Sequence, residues 1–268
     1  MTSGTRLRRS AVRAALALGL TLAAATAAAP ASSEPQTASG RLGFQVMLRQ
    51  SGPLTFPCPG RMPVDATGCV PYTGTGSHRG LGNISVTFTG LLGVGPPAGC
   101  PGDLAKPLPT TAQLSVARKG KIFLTFAEGA RCVSAWLSEP QEFTITGGTG
   151  QFAAASGRGT REPDLPVPAS PATETWNGTL AVPGRAFDLT PPKLHGAGSK
   201  TVRAQDGATS ARVTFKVTAT DGVDGAVPVS CRPRLGSRFP LGRTMVRCEA
   251  TDSSGNAAVA AFTVTVTR

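Results

Sequence analysis

The chain of 268 residues is long enough for two ordinary domains, and its formal net charge is +12. Its 33 Gly and 23 Pro residues indicate many turns, and no long helical periodicity follows the N-terminal apolar run, which excludes a mainly helical protein. Aromatic residues make up only 5% of the chain and form no platform with basic residues, which argues against a nucleic-acid partner.

The first predicted element is a secretion signal over residues 1–31. Four arginines without acidic neighbours, at positions 6, 8, 9 and 13, precede an apolar run from Ala14 to Ala29. Ala29-Pro30-Ala31 has the A-x-A form of a signal-peptidase site, and Ala25-Thr26-Ala27 is an alternative site. The run is shorter and richer in Ala than a membrane span. We therefore expect a secreted, extracellular protein that keeps no membrane span after cleavage.

Residues 40–185 predict the first domain, an antiparallel β-barrel or sandwich of six to eight strands. Apolar and polar residues alternate from Leu42 to Leu48, as they do along a strand with one buried face. A similar alternation on both sides of Lys119-Gly120 predicts a tight hairpin. In the last predicted strand, Trp176 shares its alternating face with apolar neighbours, so we expect it in the core.

Six cysteines lie after the predicted signal, an even number that predicts disulfide bridges in an exported protein. The sequence contains no C-x-x-C motif and no paired histidines, so we expect no bound metal. Four of the cysteines lie in or near long loops of the first domain. We expect the pairs Cys58–Cys69 and Cys100–Cys132, which is one of three possible pairings.

A glycine-rich segment, Gly147-Gly148-Thr149-Gly150-Gln151-Phe152, follows one of these strands. A phosphate-binding loop would lead from a strand into a helix, whereas the strand pattern continues here, so we expect no nucleotide cofactor. The segment resembles the G-G-T-G-x-F turn of dirigent and allene-oxide-cyclase-like barrels. This resemblance implies a β-barrel with Phe152 plugging one end, and no catalytic residue is transferred from it.

Residues 188–268 predict a second domain, which follows a short linker over 183–188 with Phe187 as a contact between the domains. Three runs of alternating apolar residues predict half-buried strands, over 213–219, 244–250 and 260–266, and a shorter strand covers 227–231. Cys231 and Cys248 both lie on inward faces, so we expect them to form a buried bridge that adds about 3 kcal/mol of stability.

The second domain carries a series of motifs at its turns, strand ends and cysteines. In chain order they are Asp188-Leu189-Thr190-Pro191-Pro192, Thr218-Ala219-Thr220-Asp221, Val227-Pro228-Val229-Ser230-Cys231, Phe239-Pro240-Leu241-Gly242, Val246-Arg247-Cys248 and Ala250-Thr251-Asp252-Ser253-Ser254-Gly255-Asn256. Over its full length this region resembles the hyalin-repeat (HYR) module. The resemblance implies an immunoglobulin-like β-sandwich of an extracellular protein, used for adhesion or for spacing other domains. The predicted class is all-β.

Three acidic residues of the second domain, Asp221, Asp224 and Asp252, lie at predicted turns. Asp and Asn side chains commonly accept hydrogen bonds from turn amides, and this interpretation accounts for all three residues. A calcium site is the alternative. It is disfavoured because the acids are few, basic residues lie nearby, and no 12-residue loop of oxygen ligands is present.

The sequence contains no recognisable catalytic site. Its two histidines, His78 and His195, fall in different predicted domains, and no nucleophile motif accompanies either of them. Glycoside hydrolysis needs two opposed carboxylates, and the acidic residues of the first domain lie mostly at expected turns and strand edges. We therefore expect no catalytic, cofactor-binding or metal-binding residue.

Cleavage of the signal would leave 23 basic and 15 acidic residues, a net charge of about +8, which favours attraction to anionic wall polymers or lipid headgroups. The sequence therefore predicts a monomeric, secreted, non-catalytic binding or adhesion protein whose ligand is a glycan, a cell-wall polymer or a protein. The first domain would recognise the ligand, with Trp136 as the candidate binding residue. An isomerase- or cyclase-like barrel enzyme and a structural envelope protein are the alternatives.

Overall fold

A computed structural model describes residues 37–60, 62–133, 139–164 and 171–268, without the side chains of 37–39, 103 and 164. The predicted signal at 1–31 and the candidate Trp136 lie outside these residues. No α-helix occurs in the described ranges, and none of their helical turns is long and apolar enough to cross a lipid bilayer.

Nine strands build the N-terminal sheet. They are β1 (Thr37–Gln50), β2 (Gly68–His78), β3 (Gly82–Gly95), β4 (Cys100–Pro107), β5 (Thr110–Val116), β6 (Gly120–Phe126), β7 (Gln141–Gly148), β8 (Ser156–Asp164) and β9 (Thr173–Asp188). The strand order is β2-β1-β9-β8-β7-β6-β5-β3-β4, and β2 also pairs with β3. Eight strands therefore close into a barrel, while β4 extends one side of it. All of these pairings are antiparallel, which confirms the predicted class and selects the barrel over the sandwich.

The barrel interior is filled by its own side chains. Trp176 is fully buried, and its ring centroid lies 5.2 Å from that of Phe88 and 5.0 Å from that of Phe126. Inward residues of the other barrel strands except β8 join the same apolar cluster. Two glycines make room for these rings: a Cβ atom on Gly178 would lie 2.8 Å from Cζ of Phe143, and one on Gly159 would lie 2.5 Å from the same atom. The predicted burial of Trp176 is confirmed.

Nine strands of 3 to 11 residues follow in the C-terminal region. They are β10 (Lys193–His195), β11 (Lys200–Arg203), β12 (Ser210–Arg212), β13 (Thr218–Asp221), β14 (Gly225–Val227), β15 (Val229–Arg232), β16 (Arg238–Pro240), β17 (Gly242–Thr251) and β18 (Ala257–Thr267). They form a three-stranded sheet β10-β13-β14, a four-stranded sheet β11-β18-β17-β15 and a β12-β16 pair. The buried residues that these sheets share include Phe215, Phe239, Val246 and Phe262.

Two predicted strands differ from the structure. The strand expected over 213–219 is interrupted between Arg212 and Thr218, because the backbone of Val213 pairs with the turn at Gly236 and Ser237 instead. Buried and exposed residues still alternate along this segment, because the alternation depends on packing against the core and not on ladder hydrogen bonds. The strand expected over 227–231 divides at Pro228, which has no N–H to donate, and its halves β14 and β15 belong to different sheets.

The linker predicted over 183–188 is wrong as well. These residues are the end of β9, and Thr37 and Ala38 of β1 pair with Asp188 and Phe187 there. Phe187 is fully buried in the barrel cluster rather than exposed to a neighbouring domain. The chain therefore passes from the barrel into the C-terminal region directly at a hydrogen-bonded strand end.

Candidate functional site

A buried polar cluster lies inside the barrel, near the long loops that carry the disulfides. It contains Tyr72 of β2, Gln141 of β7, Arg161 of β8 and Glu174 of β9. Arg161 and Glu174 are only 5% and 1% exposed, and Nη1 of Arg161 lies 3.3 Å from Oε1 of Glu174. The indole N–H of Trp176 donates to Oε2 of Glu174 at 3.1 Å. Strand register explains the grouping, because Arg161 pairs with Trp176 and both face inward.

The surroundings of the cluster set its electrostatics. Burial raises the pKa of Glu174 although the Arg161 guanidinium opposes that shift. Burial also raises the pKa of Tyr72, whose hydroxyl donates to Glu174. The guanidinium of Arg161 lies over the rings of Phe88 and Phe126, 5.1 and 5.7 Å from their centroids. The carboxylate and the guanidinium thus neutralise each other within an aromatic shell.

The burial of this polar cluster favours a structural role over a catalytic one. A general acid or base must reach the proton that it transfers on a substrate. All four polar side chains are buried, and the aromatic rings of the barrel pack against Arg161. The side-chain amide of Gln141 donates to the carbonyls of Leu108 and Ala127, which ties β7 to neighbouring loops. The cluster therefore closes this end of the barrel.

The two histidines are not brought together. Nε2 of His78, at the end of β2, accepts a hydrogen bond from the backbone N–H of Gln45 at 3.4 Å. Burial lowers the pKa of His78. His195, in β10, lies 2.9 Å from the hydroxyl of Thr220. Each histidine thus has local partners within its own sheet system.

The cysteines form three bridges, and all six are used. The bridges join Cys58 to Cys69, Cys100 to Cys132 and Cys231 to Cys248, the pairs that the sequence suggested. The first two fasten long loops of the barrel. The third links β15 to β17, where the two cysteines are opposite each other in the ladder.

The glycine-rich segment connects β7 to β8 through a short 3₁₀-helix, Gly150–Phe152. Phe152 is fully buried in the barrel cluster, as the plug interpretation predicts. Gly148 and Gly150 are needed because a Cβ atom on either would lie closer than 3 Å to the backbone of residue 121 or 119. The segment closes the barrel at the end next to the C-terminal region.

Charge is unevenly distributed over the C-terminal region. Residues 187–268 carry 11 basic side chains, and all of them are exposed. Of the six acidic residues, Asp188, Asp221, Asp224 and Asp252 gather at one end. Only Asp206 and Glu249 lie among the basic residues elsewhere on this surface. Segregation of this kind leaves a strongly positive outer surface.

Two arginines on this surface face each other directly. Arg232 of β15 pairs with Arg247 of β17 in an antiparallel ladder, and like charges in that position destabilise a sheet. Within the described part of the chain, neither forms an ion pair. A neighbouring groove is lined by Lys200, Lys216 and Arg234, next to the exposed Leu235.

Comparison with known proteins bears on the C-terminal region first. The model of one family, the HYR domain, matches residues 187–266. This region resembles a HYR domain. The match begins at the end of β9 and covers the three C-terminal groups of strands, the Cys231–Cys248 bridge and the basic surface. The match and the three disulfide bridges are compatible with export.

Two solved structures are similar to the barrel part, and both are pterocarpan synthase dirigent proteins. The first is 13% identical over 57% of this chain and 90% of its own length, with a TM-score of 0.35. The second is 12% identical over 53% of this chain and 96% of its own, with a TM-score of 0.34. No curated protein matches the chain.

Sequence reasoning missed the polar cluster of the barrel. Glu174 and Trp176 are two residues apart on one strand, so the inward position of Trp176 also places Glu174 inside. That spacing was the available signal for Glu174. The sequence contains no comparable signal for Arg161, because the strands that pair with β8 were unknown and basic residues usually lie at the surface.

Proposed function

We propose that this chain is a secreted, non-catalytic binding protein whose HYR-matching domain docks on an anionic extracellular polymer. The charge segregation of that domain carries the proposal: 11 exposed basic residues and two acidic residues lie outside the junction with the barrel. A surface of one sign attracts a polyanion over a Debye length of about 8 Å at physiological salt.

The strand arrangement gives this surface a defined centre. Arg232, Arg243 and Arg247 project from the outer face of β15 and β17, where Met245 is also exposed. Polymer phosphates or carboxylates would accept charge-assisted hydrogen bonds from the guanidinium groups. The opposed arginines cost stability in the free protein, and a bound anion would compensate that cost.

The barrel would act as a rigid platform that presents its loops. Its inward side chains are buried and in contact, which supports a non-catalytic role and disfavours the isomerase- or cyclase-like alternative. Loops supported by a rigid scaffold commonly carry recognition residues. Trp136, which lies outside the described residues, stays the candidate anchor for a second, more specific contact.

The test is binding of the mature protein, residues 32–268, to immobilised polygalacturonate, with dextran as the neutral polymer. A triple variant, Arg232→Ser with Arg243→Ser and Arg247→Ser, should bind at least about tenfold more weakly. That estimate takes roughly 0.5 kcal/mol for each exposed contact. The matched control removes three exposed barrel arginines, Arg41, Arg49 and Arg158, by the same substitution and changes the net charge equally.

Retained affinity in the control triple would show that the site, rather than the overall charge, binds the polymer. Equal losses in both triples, or equal binding to dextran, would contradict the proposal. A structural envelope protein without a discrete ligand would bind neither polymer.

A further inference from the structure

Four aspartates converge where the barrel meets the HYR-matching domain. Asp188 ends β9, Asp221 ends β13, Asp224 lies in the turn before β14, and Asp252 follows β17. Each offers a carboxylate oxygen, and these oxygens lie within 4.8 Å of one another. Calcium binds oxygens at about 2.3–2.6 Å, so ligands on opposite sides of one ion are about 5 Å apart. One ion can therefore contact all four side chains.

Hydrogen bonding accounts for only part of these carboxylates. Oδ1 of Asp221 accepts from the N–H groups of Val223 and Asp224, and Oδ1 of Asp252 accepts from those of Ser254 and Asn256. These are the turn contacts that the sequence predicts. Both oxygens of Asp224 accept from Ser253, and Oδ2 of Asp252 accepts from the amide of Asn256. These contacts fix the positions of the side chains, and a carboxylate oxygen with one hydrogen bond still has a lone pair for a cation.

Asp188 provides the independent observation. Its side chain belongs to the cluster and is only 7% exposed. Oδ1 accepts from the N–H of Thr190, whereas Oδ2 is buried without a hydrogen-bond partner. Oδ2 of Asp221 is likewise buried without a hydrogen-bond partner. Buried charged oxygens without partners are costly, and a bound cation is the usual compensation.

Among the described residues, no lysine or arginine forms a direct ion pair with these carboxylates. In the described ranges the ion pairs are Lys106–Glu128 and Arg161–Glu174, both away from this cluster. Lys119, in the turn between β5 and β6, is the nearby amine, and its Nζ donates to the hydroxyl of Ser254 at 3.2 Å. Lys119 thus joins the barrel to the loop but is not within 4.0 Å of a cluster carboxylate.

We propose that Asp188, Asp221, Asp224 and Asp252 bind one Ca²⁺ ion that fastens the last barrel strand to the loops of the HYR-matching domain. All donors are oxygens, and no His or Cys belongs to the cluster, which favours a hard cation over zinc or copper. The amide of Asn256 donates to Oδ2 of Asp252 and to the carbonyl of Asp188, which holds two ligands in place.

The site makes the junction between the two parts dependent on calcium. Extracellular modules typically bind Ca²⁺ with dissociation constants of about 10⁻⁴–10⁻³ M. Calorimetric titration of the chelator-treated mature protein with Ca²⁺ should give one site in that range. Adding 10 mM Ca²⁺ should raise the Tm by roughly 3–10 °C. Mg²⁺ at the same concentration should act much more weakly, because it requires shorter, octahedral coordination.

Asp221→Asn and Asp224→Asn are the test variants. Asn at position 221 keeps the oxygen that accepts from Val223 and Asp224, whereas Asn at position 224 keeps one of the two oxygens that accept from Ser253. Each should bind Ca²⁺ at least tenfold more weakly. Asp221→Asn should also melt above the wild type in chelator, because one repelling charge is gone and its turn hydrogen bonds are kept. A residue with only a turn role would not give that rise. Asp206→Asn, an exposed acid of the same domain, is the control and should behave as the wild type.

The inference is overturned if calcium gives neither heat nor a Tm shift. It is also overturned if both test variants keep the wild-type affinity, or if Asp206→Asn loses it equally. A saturable calcium response that both cluster variants lose supports it.

Discussion

The buried pair of Arg161 and Glu174 gives the sharpest prediction about the barrel. Arg161→Met keeps a long apolar side chain against the rings of Phe88 and Phe126 but removes the positive charge. Glu174 then remains as a buried carboxylate with hydrogen bonds from Trp176 and Tyr72 but no counter-charge. Breaking one partner of a buried pair typically costs about 3–5 kcal/mol. We expect a loss of that size from Arg161→Met and a similar one from Glu174→Gln.

The double variant separates pairing from packing. Arg161→Met combined with Glu174→Gln leaves no unpaired charge, so its loss should be smaller than the sum of the single losses by at least about 1 kcal/mol. The surface pair Lys106–Glu128 is the control. Its atoms are closer, at 2.8 Å, but its side chains are 26% and 51% exposed, so Lys106→Met should cost at most about 1 kcal/mol.

Urea unfolding followed by tryptophan fluorescence measures these effects, because Trp176 lies beside the pair. Equal costs for Arg161→Met and Lys106→Met would refute the argument that burial determines the value of an ion pair here. Strict additivity in the double variant would refute the coupling between the two side chains.

Two further perturbations test packing and protonation. Gly178→Ala should cost about 1–3 kcal/mol of stability, because the new methyl group would lie 2.8 Å from Cζ of Phe143. The control is Gly43→Ala on the adjoining strand, where a Cβ atom meets nothing within 4 Å. Comparing the urea midpoints of the two variants checks this prediction. His78 is half-buried, and this burial lowers its pKa. The unfolded chain therefore takes up the proton first as the pH falls below about 6.5, so stability should be lost in that direction. His78→Gln should flatten the unfolding free energy between pH 7 and pH 5 relative to the wild type. An unchanged slope would show that His78 does not supply the difference.

Much of the fold follows from local pattern. Alternation from Leu42 to Leu48 and on both sides of Lys119-Gly120 predicts strands that the structure contains, because side chains of a strand alternate whatever its partners are. The C-terminal motifs gave turns and the bridge between Cys231 and Cys248. Barrel closure did not follow, because it depends on the pairing of β1 with β9, two strands that are distant in sequence.

In the sites too, local contacts could be predicted from the sequence and contacts made through the tertiary fold could not. Turn roles for Asp221 and Asp252 could be predicted from neighbouring residues, since the hydrogen bonds are local. The addition of Asp188 to them could not, because it lies in a strand of the barrel and meets the loops only through the tertiary fold. Arg161 was missed for the same reason. Its position inside the barrel is set by register with β9, and no property of its own neighbours distinguishes it from a surface arginine.

The most direct test of the account is sedimentation of the mature protein with a purified anionic wall polymer across a range of NaCl concentrations. The account predicts strong co-sedimentation at low salt, weakening steadily as screening increases. It also predicts that loss of Arg232, Arg243 and Arg247 weakens binding far more than loss of the three barrel arginines. Binding that ignores salt, or that survives the loss of the three strand arginines, would contradict it.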